Sequence, residues 1–154
     1  MLDSLNYKII RALQANGRMT IQELASAVNL SPSPCLRRVR ILEEQGVLKG
    51  YAAVVDEAHY GLPVTVFVRI RLERHSEEKV GRFESSIRAI GEILECYLLA
   101  GDFDYMLRVL VPDLKSYEDF IRERIHTIPG IAAIETSFAY GTIKRTLVFP
   151  DPPA

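Results

Sequence analysis

Two prolines placed two residues apart, in the stretch SPSPCLRRVR at positions 31–40, constrain this chain more than any other feature. Proline lacks a backbone N–H and breaks a helix interior, but the first turn of a helix accepts it because the amides there have no intrahelical partner. With Ser31 as the N-cap, Pro32 and Pro34 occupy the first and third helical positions. The prolines therefore predict where a helix starts, and Gly46 predicts where it ends.

The predicted helix has two chemically different faces when its residues are placed at 100° intervals. The packing face consists of Cys35, Val39 and Leu42. The opposite face consists of Ser33, Arg37, Arg40 and Glu44. Together with Arg38, this stretch carries three arginines within four positions, which form either a solvated surface or a surface that binds phosphates and bases.

The residues before this helix predict two further helices and a tight turn. Asp3 is placed to cap the first helix, and Thr20 with Glu23 forms a capping box at the start of the second. Asn29 then falls where a tight turn needs a residue that tolerates left-handed backbone geometry. A short helix, a turn and a basic second helix form a helix-turn-helix, in which the second helix enters the major groove of DNA. The predicted DNA-binding residues are Ser31, Ser33, Arg37, Arg38 and Arg40.

A different pattern follows this first domain. The valine-rich run 47–55 predicts a strand, and residues 56–63 predict a connecting loop. Apolar residues then alternate with period two from Val64 to Leu72, as in a half-buried strand. Further strands and helices follow in the order helix, strand, strand, helix, strand. The predicted spans of these five elements are 76–91, 93–101, 105–111, 116–127 and 131–140.

This order is the ferredoxin-like βαββαβ unit, with both helices on one face of an antiparallel sheet. The predicted fold class is therefore α+β: an N-terminal, winged-helix-like helix-turn-helix domain and a C-terminal ferredoxin-like sandwich. The predicted segments are a DNA-binding domain 1–50, a strand and hinge linker 51–62, a second domain 63–150 and a tail 151–154. Because the second strand is apolar on both faces, we predict a homodimer that covers the open face of the sheet.

Composition excludes several classes of protein. With 154 residues and a net charge of −1, the chain can build its own core and has no overall basic bias. Cys35 and Cys96 are too few for a disulfide scaffold, and Cys35 is interpreted as a small core residue. Neither a secretory leader nor an uninterrupted apolar run of ~18 residues is readable, which favours a soluble, cytoplasmic protein without a membrane partner.

Catalytic and metal-binding motifs are not recognisable either. The histidines His59, His75 and His126 are scattered and lack the spacing of metal ligands. The loop GDFDY has none of the glycine patterns that hold phosphates or dinucleotides. We therefore expect no metal, no cofactor and no enzymatic activity.

Several motifs follow one another along the chain in an order that indicates a known family. A helix-turn-helix alone would not be specific enough to do so. The motifs are an early Leu-Asp pair, NGRMTIQELASAVNLSPSPCLRRVRILEEQGVLKGY, ECYLLAGDFDYMLRV, VPD and IPG. Over essentially its full length the chain resembles the Lrp/AsnC, or feast/famine, family of transcription regulators, and its nearer match is the leucine-responsive branch. The resemblance implies a sequence-specific regulator of double-stranded DNA that responds to an amino acid or related small effector. It also implies homodimers that assemble into octamers or similar rings.

The same resemblance implies an effector pocket between the second domains of neighbouring subunits. Its implied residues are Leu98, Gly101, Asp102, Asp104, Tyr105, Thr136, Ser137 and Phe138. An acidic, glycine-bounded loop facing a Thr-Ser strand offers carboxylates for an ammonium group and backbone amides for a carboxylate. The alternative is that the loop only makes a solvated hairpin turn.

The chain departs from the family pattern at several positions. Asn6 replaces a second acid in the first helix, which is expected to affect only local capping. Arg37 stands where relatives often carry Glu, Ile41 stands where Arg is frequent, and the strand around Ser137 varies, so operator and effector identity do not transfer. Other functions stay open: an amino-acid-binding module, an RNA-binding protein, or an architectural DNA-binding protein without effector control.

Overall fold

The computed structural model describes residues 2–73 and 76–151 of the chain. The chain folds into two compact units, Met1–Val54 with Ile143–Ala154 and Val55–Thr142, each with its own hydrophobic core. The predicted fold class is confirmed, since the first unit is a helix-turn-helix and the second is ferredoxin-like. His75 and residues 152–154 of the predicted tail lie outside the described residues.

Three helices form the first unit: α1 (Ser4–Ala15), α2 (Ile21–Ala27) and α3 (Pro32–Glu44). The predicted caps of α1 and α2 are confirmed. Asp3 Oδ1 accepts a hydrogen bond from the Asn6 amide at 2.7 Å. In the capping box, the Glu23 amide donates to Thr20 Oγ1 at 3.2 Å, and the Thr20 amide donates to Glu23 Oε2 at 2.7 Å.

The tight turn between α2 and α3 has the predicted geometry. Asn29 has a φ of 57°, the left-handed conformation that asparagine tolerates. Gly46, just after α3, has a φ of 68° and ends the helix. The core beneath the three helices consists of Ile9, Leu13, Leu24, Ala25, Val28, Cys35, Val39 and Leu42. Cys35 is therefore the small core residue that its position predicts, and burial raises the pKa of its thiol.

The predicted strand at 47–55 does not form. These residues contain neither helix nor strand, and Tyr51, Val54 and Val55 are each more than half exposed. A strand needs a neighbouring strand to accept its backbone hydrogen bonds, and the described part of the first unit has only helices. The prediction was wrong because valine content does not supply that partner.

The second unit is a four-stranded antiparallel sheet: β1 (Val64–Leu72), β2 (Ile93–Leu98), β3 (Tyr105–Val111) and β4 (Ile131–Phe138). The strand order is β2-β3-β1-β4, so β1 and β3 are central and β2 and β4 are the edges. Both edge strands end earlier than predicted, at Leu98 and Phe138.

Alternation along β1 fixes the two faces of this sheet. Val66, Val68 and Ile70 are fully buried, whereas Arg69 and Arg71 are exposed on the other face. The buried face packs against helix α4 (Glu77–Arg88) and a last helix described below. We call the opposite side the open face.

The open face is mixed in polarity. Beside β4 it carries the exposed ion pair of Arg69 with Glu135, and beside β2 it carries Tyr97, which is half exposed and pairs with Met106 of β3. The apolar residues of this face include Tyr97 of β2, Met106 of β3 and Phe67 of β1.

The last helix, α5 (Leu114–Phe120), starts two residues before its predicted position because Asp113 caps it. The Ser116 amide donates to Asp113 Oδ1 at 2.7 Å. The helix continues as a π-helix over Ile121–Ile125, in which the His126 amide donates to the Ile121 carbonyl at 2.9 Å.

The π-helix explains which side chains of this segment are buried. At α-helical spacing, Arg124 would lie between Tyr117 and Phe120 on the packing face. Ile125 would then lie to one side of that face. The wider turn adds a residue and rotates the chain. As a result Ile125 is fully buried and Arg124 is exposed.

The C-terminal segment contacts the first unit. Residues 143–151 group with the first unit, although the second domain was predicted to extend to residue 150. Arg11 of α1 donates to the Phe149 carbonyl at 3.0 Å and forms an ion pair with Asp151 at 2.8 Å. The Phe149 amide donates to Gln14 Oε1 at 3.2 Å.

Candidate functional site

The outer surface of α3 carries most of the residues predicted to bind DNA. Ser33, Arg37 and Arg40 lie four and three positions apart and are all exposed. They form one stripe that runs about 10 Å along the helix. Within residues 2–73 and 76–151, neither arginine of this stripe forms an ion pair. Their charge is therefore not neutralised by the described part of the protein.

The N-terminus of α3 presents a second polar group. Ser31 is the N-cap residue, as predicted, but its side chain makes no capping hydrogen bond. An N-cap oxygen ordinarily accepts from the amide of the second or third helical residue, and Pro34 at the third position has no N–H. The exposed hydroxyl groups of Ser31 and Ser33 thus flank a helix start whose dipole favours an anion.

Arg38 has different surroundings from the other two arginines. Its Nη1 donates to Asp3 Oδ2 at 2.7 Å and to Asn6 Oδ1 at 2.9 Å, and both partners belong to the first turn of α1. Its side chain is 29% exposed. The structure therefore ties Arg38 to the protein interior side of α3, and Asn6 does more than the local capping expected of it.

A helical wheel contains the signal that separates Arg38 from its neighbours. At 100° per residue, Arg38 lies 40° from Leu42 of the packing face, whereas Arg37 and Arg40 lie on the far side. The sequence could thus have placed Arg38 beside α1. Its partners could not be named, because Asp3 and Asn6 are more than thirty residues away along the chain.

The predicted effector residues do not form one cluster within a single chain. Leu98 lies on β2, at one edge of the sheet, whereas Thr136, Ser137 and Phe138 lie on β4, the opposite edge. The loop 101–104 reaches from β2 back to the end of β1. Three strand spacings separate the two edges, which is roughly 14 Å. Leu98 and the three β4 residues therefore do not meet within one chain.

The three β4 residues also divide between the two faces. Thr136 hydrogen-bonds the Tyr117 hydroxyl, and the Phe138 ring meets the Tyr117 ring edge-on at 5.1 Å, so both face the helices. Ser137 pairs with Phe67 and faces the open side. A flat wall made of all three side chains is excluded by this alternation.

Asp104 has a structural task in the loop. Its Oδ2 accepts a hydrogen bond from the Leu72 amide at 2.7 Å, and its own amide donates to the Ile70 carbonyl at 2.9 Å. These bonds join the β2–β3 loop to the end of β1. Gly101 and Asp102 stay exposed, and Gly101 has a φ of 152°, which favours glycine.

Tyr105 is a core residue and not part of an accessible wall. It is 2% exposed, and its hydroxyl donates to Glu84 Oε1 at 3.2 Å. The pKa of Tyr105 is raised to about 12, mainly by burial and secondly by the hydrogen bond to Glu84. The phenol is therefore neutral at physiological pH.

Phe103 is a loop residue that sequence reasoning missed. Its ring centroid lies 5.2 Å from the Arg69 guanidinium carbon and 5.9 Å from that of Arg71, which are cation–π distances. The alternation of β1 had already placed both arginines on the open face. It could not show that the loop reaches back over them.

A shallow depression of about 530 Å³ lies elsewhere, lined by His126 and residues 128–134. It contains none of the predicted effector residues. Within the described parts of the chain, no group of three His, Cys, Asp or Glu side chains could hold a metal ion. No helix among these residues is long and apolar enough to cross a membrane.

Comparison with known families matches both units. Residues 2–49 match the winged helix-turn-helix DNA-binding family, and residues 65–149 match the Lrp/AsnC ligand binding domain. The second match includes residues 143–149, which group with the first unit in the structure.

Individual relatives match over almost their full length. The DNA-binding transcriptional activator DecR of Escherichia coli K12 is 37% identical over 150 residues, covering 97% of this chain and 99% of DecR. The leucine-responsive regulatory protein of the same strain is 37% identical over 145 residues, covering 94% of this chain and 88% of that protein. The crystal structure of a Neisseria meningitidis transcriptional regulator in complex with L-Met has a TM-score of 0.93 at 35% identity, covering 97% of each chain.

Proposed function

We propose a function from one premise: this chain belongs to the Lrp/AsnC family of DNA-binding transcriptional regulators. On that premise α3 is the recognition helix of a sequence-specific regulator. Arg37 and Arg40 contact base edges or phosphates in the major groove, and the hydroxyl groups of Ser31 and Ser33 contact phosphates where the helix enters.

The observation that carries this assignment is the exposed stripe on α3. Two arginines and two serines face solvent, and neither arginine has an acidic partner within the described residues. The stripe is about 10 Å long and the major groove is about 12 Å wide, so one helix can deliver all four groups. The low net charge of the chain is no obstacle because the positive charge is concentrated where the DNA would lie.

The test separates base contacts from phosphate contacts. A duplex is first selected from a random library by the wild-type protein, and its affinity is then measured for Arg37→Ala and Arg40→Ala by fluorescence anisotropy. A lost base contact should cost roughly 1–3 kcal/mol at one base position, and a lost phosphate contact should weaken all duplexes and lower the salt slope by about one. Arg82→Ala, on α4, is the matched control. Selection of no duplex at all would refute the proposed function.

The second unit, we propose further, binds an amino acid at a site shared by two copies of the chain. The match to a ligand binding domain supports this, as does the L-Met bound to the similar Neisseria regulator. Leu98 contributes from one copy and β4 from another, since the two edge strands are about 14 Å apart in one chain. Leu98, Gly101 and Asp102 are the exposed candidates on the loop side.

Thermal unfolding against the twenty amino acids, beginning with L-methionine, tests the effector proposal. A ligand that binds only the folded state stabilises it by about 2.7 kcal/mol at a hundredfold excess over its Kd. One clear shift that is reduced by Asp102→Ala would support the loop site. No shift with any amino acid would refute it and would favour an architectural DNA-binding protein.

The remaining alternative is an amino-acid-binding module that does not regulate DNA binding. Measuring duplex affinity in the presence of the effector, and effector affinity in the presence of the duplex, distinguishes it from the proposed regulator. If the effector controls DNA binding, it must change duplex affinity, and the duplex must change effector affinity by the same factor. Tight binding of both ligands without mutual influence would favour the alternative.

A further inference from the structure

Arg38 joins two helices through a single nitrogen atom. Its Nη1 donates to Asp3 Oδ2 at 2.7 Å and to Asn6 Oδ1 at 2.9 Å. Arg38 therefore meets two residues that lie more than thirty positions away in the sequence, where the N-terminus of α1 touches the side of α3. The guanidinium is partly shielded from solvent, since its side chain is 29% exposed.

Asp3 serves both helices at once. Its Oδ1 accepts from the Asn6 amide and caps α1, while its Oδ2 accepts from Arg38 of α3. The capping bond first, and the bond from Arg38 second, lower the pKa of Asp3 below its ordinary value. The carboxylate is therefore charged at neutral pH, and the bond to Arg38 is charge-assisted.

The position of this bond around α3 matters for the DNA-facing stripe. Cys35, Val39 and Leu42 hold α3 through apolar contacts along one line, and such contacts resist rotation weakly because they have no direction. Arg38 lies about 40° from Leu42 and roughly 65° from the middle of that line, so its bonds oppose rotation of the helix. A side chain lies about 5–6 Å from the helix axis, so a 20° rotation would move it by about 2 Å, more than a hydrogen bond tolerates.

We propose that Arg38 is a positioning residue that sets the rotation of α3 through Asp3 and Asn6, and that it does not itself contact DNA. This inference rests on the proposed function, because the orientation matters only if Arg37 and Arg40 read DNA. It changes the role that the sequence alone suggested for Arg38. It also assigns Asn6 to the same arrangement.

The substitution Asp3→Asn separates the two roles of Arg38. Asparagine is an equally good N-cap, so α1 keeps its cap while Arg38 loses its charged partner. If Arg38 positions α3, Asp3→Asn should weaken binding to the selected duplex about threefold to tenfold and reduce its preference over a scrambled duplex. If instead Arg38 contacts DNA and Asp3 competes for it, removal of the negative charge should strengthen binding.

Salt dependence gives the second readout. Arg38→Ala should weaken binding as much as Asp3→Asn while leaving the slope of log affinity against log salt unchanged, because no phosphate contact is lost. The double variant should bind the duplex no more weakly than either single variant, since the two single variants and the double variant all remove the same bridge. A slope lowered by about one in Arg38→Ala would overturn the proposal.

Two controls keep the outcomes distinct. Glu44→Gln removes a negative charge from the same unit without touching the bridge, and it should tighten binding to both duplexes. Thermal unfolding of each variant confirms that the unit stays folded. If Arg37→Ala and Arg40→Ala weaken binding but Asp3→Asn does not, the proposed function stands and the positioning role is wrong. If those two variants bind normally, the DNA-reading role of Arg37 and Arg40 is wrong, and the positioning role that rests on it is overturned as well.

Discussion

Tyr105 brings a hydroxyl group into the core of the second unit. Its ring centroid lies 4.6 Å from that of Phe83, and its hydroxyl donates to Glu84. Because burial disfavours the phenolate, the pKa of Tyr105 rises to about 12 and the folded protein holds this proton more tightly than the unfolded chain does. The stability that this residue provides is complete below the ordinary tyrosine pKa of about 10 and is lost as pH rises through 12.

This difference predicts a specific alkaline sensitivity. Between pH 8 and pH 11, the free energy of unfolding of the wild type should fall by roughly 1 kcal/mol more than that of Tyr105→Phe. Urea titrations of both proteins at the two pH values provide the measurement. An identical pH dependence would contradict the role assigned to the phenol.

Replacing each of the two loop aspartates by alanine should change the free energy of unfolding by different amounts. Asp104→Ala leaves the Leu72 amide without its carboxylate partner, so it should lower the free energy of unfolding by about 1–3 kcal/mol. Asp102 is exposed, and Asp102→Ala should change stability by no more than about 0.5 kcal/mol. Urea unfolding distinguishes them, and equal losses would show that the bond to Leu72 contributes nothing. Asp102 is therefore the better position for testing a ligand.

At the scale of the element, local signals predicted most of this fold. The prolines of α3, the capping box of α2 and the alternation of β1 each depend on neighbouring residues, and each was confirmed. The strand at 47–55 failed because pairing depends on a partner that no local signal supplies. The contacts of Arg38 and the division of the effector residues between two sheet edges also depend on residues that are distant along the chain.

The π-helix after α5 is an element that local signals could not predict. Its geometry predicts different effects on stability for two neighbouring substitutions. Because the wider turn buries Ile125, Ile125→Ala should cost about 2–5 kcal/mol. Arg124 would lie on the packing face of a regular α-helix but is exposed here, so Arg124→Ala should be nearly neutral. Thermal or urea unfolding of the two variants measures both. A large loss in Arg124→Ala with little loss in Ile125→Ala would indicate regular α-helical winding.

At the scale of the whole molecule, the open face of the sheet is unevenly covered, since Leu110 on this face is buried whereas Tyr97 is half exposed. Exposed apolar side chains concentrate on β2, where Leu94, Tyr97 and Leu98 are each about half exposed or more. Exposed apolar side chains favour self-association, and a second copy would bring β4 residues next to Leu98. We therefore propose homodimers, which assemble further into octamers or similar rings.

Light scattering measures this assembly directly. At micromolar concentration the mass should be at least twice the 17.4 kDa of one chain. Tyr97→Glu, which places a charge on the apolar part of the open face, should shift the protein toward monomer. A wild-type mass of 17.4 kDa would exclude both the dimer and the shared effector site.

Two double variants test whether the exposed arginine stripe of α3 binds DNA. The Arg37→Ala, Arg40→Ala double variant and a control double variant, Arg82→Ala with Arg122→Ala, remove the same charge from different units. We expect the first to lose at least tenfold in affinity for the selected duplex and the second to bind like the wild type. Equal affinity of the two double variants would contradict this expectation.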